Sequence, residues 1–173
     1  MAEATLLVFD GANLIPDDLP IVGGDGPIDK VFVQGMLLAA FDDTDEEACF
    51  APCAQMPAGY AGTGTLKATL HLRFASEVTA TNEAVFDVSV EAVTPGDALD
   101  LDAGRSFDSV NSGEVDPPGT AGYMVELVIT LTNKDSVAAG DHVVFHIRRD
   151  CDAAADTATG DVYLESIRIH EDS

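Results

Sequence analysis

The sequence predicts an all-β fold, namely an eight-stranded antiparallel jelly-roll sandwich with an extended N-terminal segment. Apolar and polar residues alternate in several segments, most regularly in GTLKATLHLRF at 64–74. Clusters of Gly, Pro, Asp and Asn separate these segments, and no long segment has the 3.6-residue period of a helix. Long connections, and the absence of Trp and of a Cys–Trp–Cys spacing, favour a jelly roll over an immunoglobulin-like sandwich.

The segment 64–74 shows the strand pattern most clearly. Its alternate apolar residues are Leu66, Ala68, Leu70, Leu72 and Phe74. A period of two places these side chains on one face of a strand and the polar ones on the other. Such a strand buries one face against a second sheet and exposes the other to water.

Residues 1–28 differ in composition from the rest of the chain. After the short apolar run ATLLVFD, the segment is dense in Pro, Gly and Asp, which exclude a helix and a central strand. We therefore predict an extended N-terminal arm at 1–28 and a jelly-roll β-sandwich domain at 29–173. An alternative of equal weight to the arm is a flexible leader or an irregular strand that closes the sandwich edge.

Eight strands are predicted within the domain. In chain order they are 30–41, 48–56, 65–75, 84–93, 106–110, 122–132, 142–149 and 161–170. Jelly-roll connections place the first, third, sixth and eighth in one sheet and the other four in the second. Pro52 is predicted to break the second strand, and a change of apolar phase predicts a bulge near Glu165–Ser166 in the last.

The net charge limits the classes of function. Thirty-one acidic residues and eight Lys and Arg give −23, and such a field repels nucleic acids. Two interpretations of the acidity stay open, solvation at high salt and calcium binding by clustered carboxylates. Because the acidic residues are spread along the whole chain, solvation is favoured. No apolar run approaches the length that spans a bilayer, and no secretory signal peptide is expected.

Three cysteines do not suggest a disulfide framework. Their number is odd, and Cys49 and Cys53 would lie about 13 Å apart on one strand. Cys151 completes the set, and all three are predicted to be buried free thiols. His142 and His146 would share a strand face at a similar separation, too far apart for one metal ion, and are predicted to be exposed.

No catalytic motif is present. The sequence contains neither G-x-S-x-G nor a P-loop lysine motif. We therefore expect a non-enzymatic protein with no cofactor. A calcium-like ion is allowed at an acidic turn formed by Asp42, Asp43, Asp45 and Glu46.

From about residue 36 to 170, an ordered series of segments resembles a known family. The segments are FDDTDEEACF, MPAGY, GTLKATLHLRF, VFDVSVEAV, PGDALD, GTAGYMVELVITLTN, AAGDHVVFHIRRD and ADTATGDVYLESIRI. In this order they resemble the jelly-roll virion structural proteins, of head decoration or fibre type, of tailed bacteriophages. The matching residues are scaffold residues, so the resemblance implies no functional site. Cys49, Cys53 and the short N-terminal segment depart from the family.

The resemblance implies a virion structural protein, a capsid decoration (cement) or minor capsid protein displayed on the particle surface and made in the host cytoplasm. Its expected partners are the major capsid protein or other virion proteins and two further copies in a homotrimer. Neither nucleic acid nor membrane is expected as a partner. The alternative is a carbohydrate- or receptor-binding jelly-roll module of a phage fibre or tail. The absence of Trp and the presence of only three Tyr weaken this alternative.

The arm supplies the predicted contact residues. Extended segments can add to the sheet edge of a neighbour while apolar side chains fill pockets. The apolar residues of the arm, and the predicted capsid or subunit contacts, are Leu14, Ile15, Leu19, Ile21 and Val22.

Overall fold

A computed structural model describes residues 3–17, 26–98 and 104–172, which form two packed β-sheets. Strands and one 3-10 turn, Gly11–Asn13, make up the regular structure of these residues, which confirms the all-β sandwich. The strands are β1 Glu3–Asp10, β2 Ile15–Pro16, β3 Gly26–Pro27, β4 Asp29–Val33, β5 Met36–Phe41, β6 Glu47–Phe50, β7 Ala54–Gln55, β8 Thr65–Phe74, β9 Ala84–Val93, β10 Asn111–Val115, β11 Met124–Thr130, β12 His142–Arg149 and β13 Val162–Asp172.

The sheet order confirms the predicted jelly-roll connectivity. Sheet A runs β11-β8-β13-β5-β4, and β1 also pairs with β13. Sheet B runs β10-β9-β12-β6-β2, with β3 pairing to β6 and β7 to β12. Apart from β3 with β6, neighbouring strands are antiparallel. Since β8 pairs with β11 and β13 instead of β9, consecutive long strands alternate between the sheets.

The predicted count of eight strands is wrong, because the described residues form thirteen. The segment 30–41 is a hairpin of β4 and β5, and Gln34 and Gly35 turn the chain with φ of 52° and 87°. Gln is uncommon in the left-handed region, so the turn has no clear sequence signal. The segment 48–56 divides around Pro52 into β6 and β7, as the proline predicts. The other additional strands are β1 and the two-residue strands β2 and β3.

The predicted strand 106–110 is misplaced, because β10 runs from Asn111 to Val115. The sequence NSGEV has few strand-favouring residues, but contacts with other strands explain Asn111 and Gly113. The side-chain amide nitrogen Nδ2 of Asn111 donates hydrogen bonds to the carbonyl oxygens of Val88 (3.0 Å) and Asn133 (2.8 Å). A Cβ at Gly113 would lie 2.9 Å from Ile129. Close packing against β11 therefore replaces the usual apolar pattern.

The predicted bulge in the last strand is confirmed. The pairing register between β13 and β8 shifts between Leu164 and Ser166. The shift lets both Leu164 and Ile167 point into the core although they are an odd number of residues apart.

A single apolar core fills the space between the sheets. Every predicted inward residue of β8 is at most 1% exposed, and β9, β12 and β13 face it with similarly buried side chains. Phe41 and Phe86 meet edge to face, with ring centroids 5.3 Å apart. Burial of such side chains is the main stabilising contribution of this fold.

The described part of the predicted arm lies in the sheets. β1 pairs along β13, β2 with one side of β6, and β3 with residues 47–48 of β6. The Nζ of Lys30 donates to the carbonyl oxygen of Gly11 at 2.6 Å, which fastens the turn after β1. Among the described residues there is no helix long and apolar enough to cross a membrane.

Candidate functional site

The outer face of sheet B has a groove above β9 and β12. Alternate side chains of both strands point away from the core, and the pairing places Val144 opposite Glu91 and His142 opposite Val93. The turn that contains Asp97 and the side chain of Arg105 complete the lining of a cavity of about 350 Å³. This volume is typical of small-ligand sites. We refer to the surface formed by Glu91, Val93, Asp97, Arg105, His142 and Val144 as the sheet B groove.

A buried carboxylate fixes the position of Arg105. Glu91 is 1% exposed and accepts hydrogen bonds from Nη1 of Arg105 (2.7 Å) and from the backbone N–H of Ser106 (2.7 Å). The Asp108 N–H donates to the Val90 carbonyl oxygen at 2.9 Å and holds the same loop on the sheet. Because a guanidinium has five donors, Arg105 can bind Glu91 and still donate to a ligand.

A second depression continues the groove beyond Arg105. It has a volume of about 460 Å³, shares Arg105 with the first cavity, and is lined further along by Ser89 and residues 106–110. Arg105 thus lines two adjoining cavities on one sheet face. An extended ligand could contact both cavities and receive hydrogen bonds from Arg105 at its middle.

Aromatic rings support the loop 104–110 from beneath. Phe107 stacks on Phe50 with centroids 5.9 Å apart, and His146 lies 5.0 Å from Phe50 and 5.6 Å from Phe107. The Nε2 of His146 lies 3.2 Å from Oδ2 of Asp17, and both side chains are buried. The loop therefore rests on a packed aromatic surface that keeps Arg105 at the groove.

The predictions for the histidines and cysteines are partly wrong. His142 is exposed as expected, but His146 is buried because Phe107 and Asp17 cover it. Cys49 is a buried free thiol as predicted, whereas Cys151 is half-buried and Cys53 is exposed. The last two lie in loops, and neither of them belongs to the buried core.

Cys53 lies at the edge of the sheet B groove beside His142. Its Sγ is 3.9 Å from Nδ1 of His142, at the end of β12 where β7 pairs with that strand. A thiol and an imidazole therefore contribute polarizable and hydrogen-bonding groups at one end of the groove.

Three of the four carboxylates proposed for calcium, those of Asp42, Asp43 and Glu46, have separate partners. Oδ1 of Asp42 accepts from the backbone and side chain of Thr44, and Oδ2 of Asp43 accepts from the Gly160 N–H at 2.6 Å. Glu46 faces Arg148 at 3.5 Å. In the described ranges, three ligand atoms suited to a metal come within 4.8 Å of one another at a different place, at Glu3, His170 and Asp172.

A second group of carboxylates lines a small cavity of about 50 Å³ between β4, β6 and the start of β13. Its acidic members are Asp29, Asp42, Glu47 and Asp161. Burial, together with the neighbouring negative charges, raises the pKa of Glu47 to about 7, although the Asp42 N–H donates to its carboxylate at 2.7 Å. The same causes raise the pKa of Asp161. These carboxyls therefore ionise less readily than exposed ones.

The residues predicted to contact other subunits occupy different surroundings. Leu14 is 2% exposed and packs in the core, so it is not available to a partner. Ile15 is 52% exposed on β2. Leu19, Ile21 and Val22 lie outside the described residues.

In sequence, neither a protein-family model nor a curated protein matches this chain. Several solved structures have a similar arrangement of strands. The carbohydrate-binding module CsCBM6-3 from Clostridium stercorarium, solved with cellobiose, aligns with a TM-score of 0.47 and 10% identity over 94% of this chain and 91% of its own. The module TmCBM27, described as recognising mannan, aligns with a TM-score of 0.46 and 10% identity over the whole of both chains.

A carbohydrate esterase of the Shiga toxin-encoding bacteriophage phi24B is also similar. Its TM-score is 0.35, with 13% identity over 99% of this chain and 100% of its own. At these values the likeness concerns the general arrangement of strands and does not extend to any site.

Most residues of the sheet B groove could not be singled out from the sequence. Glu91 falls within the predicted strand 84–93, and Arg105 falls between this strand and the next predicted one, 106–110. Arg105 is one of only eight Lys and Arg residues in a very acidic chain. This scarcity was the one signal that could have drawn attention to it.

Proposed function

We propose that the protein is a non-catalytic carbohydrate-binding jelly-roll module that binds neutral saccharides in the sheet B groove. The observation that supports this is that Arg105 lines two adjoining cavities while buried Glu91 holds its guanidinium. Sugars have hydroxyl groups that pair with charged donors and acceptors, and C–H faces that pack on apolar surface. The sheet B groove offers both kinds of contact.

The apolar contacts come from aliphatic side chains. Val93, Val144 and Pro95 line the first cavity, while Asp97, His142 and Arg105 supply polar groups around them. Tyr60 is buried and Tyr123 and Tyr163 do not line either cavity, so no tyrosine is available for stacking there. Since stacking on large rings provides much of the affinity at sugar sites, we expect a dissociation constant of about 0.1–1 mM.

Charge favours a neutral ligand. Asp97 and Asp108 line the two cavities beside the single guanidinium, and the chain has a net charge of −23. This negative field would repel uronic acids and sulfated glycans, whereas neutral polymers of hexoses and pentoses would not be repelled.

The test is affinity electrophoresis of the full chain in gels that contain soluble neutral polysaccharides, followed by calorimetry with oligosaccharides of the polymer that retards it. Arg105→Ala and His142→Ala should weaken binding about tenfold each, because each removes hydrogen bonds to hydroxyls. His71→Ala is the matched control, since His71 lies on the outer face of sheet A. Absence of retardation by every neutral polymer, or equal loss in His71→Ala, would overturn the proposal.

The virion location, the capsid partner and the homotrimer stay predictions. They follow from the sequence resemblance. Of the two roles that this resemblance implies, the sheet B groove supports the alternative, a carbohydrate-binding module of a fibre. Sedimentation of the purified chain tests the trimer, and labelling of source particles with an antibody tests the location.

A further inference from the structure

The outer face of sheet A brings three ligating side chains together where β1 pairs with β13. Glu3 lies directly opposite Asp172 in the register, and His170 lies two residues before Asp172 on the same face. One ligand atom from each residue lies within 4.8 Å of the other two. The group therefore joins the first and last strands that the structure describes.

His170 makes this group different from an ordinary cluster of surface carboxylates. The residue is 3% exposed, and its Nε2 lies 2.9 Å from Oγ1 of Thr69. Its Nδ1 has no hydrogen-bond partner among the described residues. This buried nitrogen faces Oε1 of Glu3 at 3.0 Å and Oδ1 of Asp172 at 3.9 Å.

In one imidazole tautomer, the arrangement of these three atoms favours a cation between them. When Nε2–H donates to Thr69, Nδ1 carries a lone pair that points at two carboxylate oxygens. A cation in contact with all three atoms would replace their mutual repulsion with attraction.

The separations suit a metal ion. An ion in the plane of three atoms separated by 3.0, 3.9 and at most 4.8 Å, and equidistant from them, would lie at most about 2.4 Å from each. Small side-chain rotations shorten this distance to the bonds of about 2.0–2.2 Å that zinc forms with imidazole and carboxylate. The exposed side of Glu3 leaves room for water as a further ligand.

Two basic residues hold the carboxylates. Lys67 pairs with Oδ2 of Asp172, which leaves Oδ1 as the oxygen that faces His170. Arg168 pairs with Oε1 of Glu3, so this carboxylate must share that oxygen or bind the ion through its second oxygen. Outer residues that orient ligands in this way are usual around metal sites.

We propose that Glu3, His170 and Asp172 bind a divalent transition-metal ion of the zinc class. An imidazole nitrogen with two carboxylates is a donor set that zinc accepts, whereas calcium prefers six or more oxygen ligands. The ion would link β1 to β13 and stabilise the pairing of these two strands.

The test is titration of the full chain with Zn²⁺ against a chromogenic chelator, with the Co²⁺ absorption spectrum as a second readout. All proteins carry Cys53→Ser, which removes the separate thiol and imidazole pair at the sheet B groove. We expect one Zn²⁺ per chain and a melting temperature several degrees higher with the ion. Glu3→Gln and Asp172→Asn should weaken Zn²⁺ binding at least tenfold and abolish the thermal shift.

His71→Gln is the matched control, because His71 also faces a carboxylate on sheet A, with Nε2 3.1 Å from Glu126. Its affinity for Zn²⁺ should equal that of the parent. Glu3 is 42% exposed, so Glu3→Gln should fold even if a buried His170 variant does not. The proposal is overturned if the parent binds no Zn²⁺ at micromolar concentration or if Glu3→Gln binds as the parent does. A proton bound to Nδ1 of His170 at neutral pH in imidazole NMR spectra, retained with Zn²⁺ present, also overturns it.

Discussion

Replacing Glu47 with Gln should make the protein more stable above neutral pH. Burial and the charges of Asp29, Asp42 and Asp161 raise the pKa of Glu47 from 4.5 to about 7. Between these values the folded chain binds a proton that the unfolded chain has released. The stabilisation from the neutral carboxyl is therefore complete below about pH 4.5 and is lost as the pH rises through about 7.

This pKa difference corresponds to a loss of at most about 3.4 kcal/mol in the free energy of unfolding when the pH rises from below 4.5 to above 7. The carboxyl is partly solvated, which reduces the expected value to about 1–2 kcal/mol. Gln stays neutral at every pH and its side-chain oxygen can still accept the hydrogen bond from the Asp42 N–H. The variant should therefore gain about 1–2 kcal/mol over the parent at pH 8 and match it near pH 4.5.

The measurement is urea denaturation of both proteins at intervals from pH 4.5 to 8.5, with the difference in free energy of unfolding plotted against pH. Asp152→Asn serves as control, because Asp152 is exposed in the loop before β13. Its difference from the parent should stay flat. A flat difference for Glu47→Gln, or a variant less stable than the parent at pH 8, would show that Glu47 ionises normally.

Three further predictions concern stability, and urea denaturation measures each. Arg149→Ala should lower the free energy of unfolding by about 3–5 kcal/mol. Arg149 is fully buried, and its loss removes the hydrogen bonds of 2.8 and 3.0 Å that it donates to the buried carboxylate of Asp156. Glu126→Ala, which removes an exposed pair with His71, should lower it by less than about 1 kcal/mol. Gly11→Ala should lower the free energy of unfolding by about 1–3 kcal/mol or more, because the new Cβ would lie 2.1 Å from the Leu164 carbonyl oxygen. In Gly59→Ala the new Cβ meets nothing within 4 Å, so this control should be neutral or slightly stabilising. Gln34→Asn should stabilise the β4–β5 hairpin by about 0.5 kcal/mol, since Asn tolerates a φ of 52° better than Gln does, and an unchanged or lower midpoint would contradict this explanation.

The long strands could be predicted from the sequence because their apolar residues recur at every second position, which shows which face of the strand is buried. This applies to β8, β9, β11 and β12, and the change of phase in β13 correctly predicted its bulge. Two-residue strands have no period, so β2 and β3 could not be found in this way. The predicted position of β10 was wrong because Asn111 and Gly113 are needed for contacts with other strands. Such contacts leave no pattern in the local sequence.

The candidate sites depend on residues that are distant in sequence. His146 and Asp17 are 129 positions apart, and Arg168 meets Glu3 across 165 positions. Only the completed sheets bring such residues together, so spacing along the chain contains no information about them. In a chain with 31 acidic residues, pairs of carboxylates also occur by chance, which hides those that share a site.

The position of β13 at the centre of sheet A has a consequence for biosynthesis. This strand pairs with β8, β5 and β1, so each of these lacks a neighbour until β13 has emerged from the ribosome. The emerging chain must keep earlier strands soluble with unpaired edges, and its high negative charge would limit association during that interval. Because most pairings join distant parts of the chain, we expect folding in milliseconds to seconds and only after β13 has been synthesised, with little stable structure in nascent chains that lack β13.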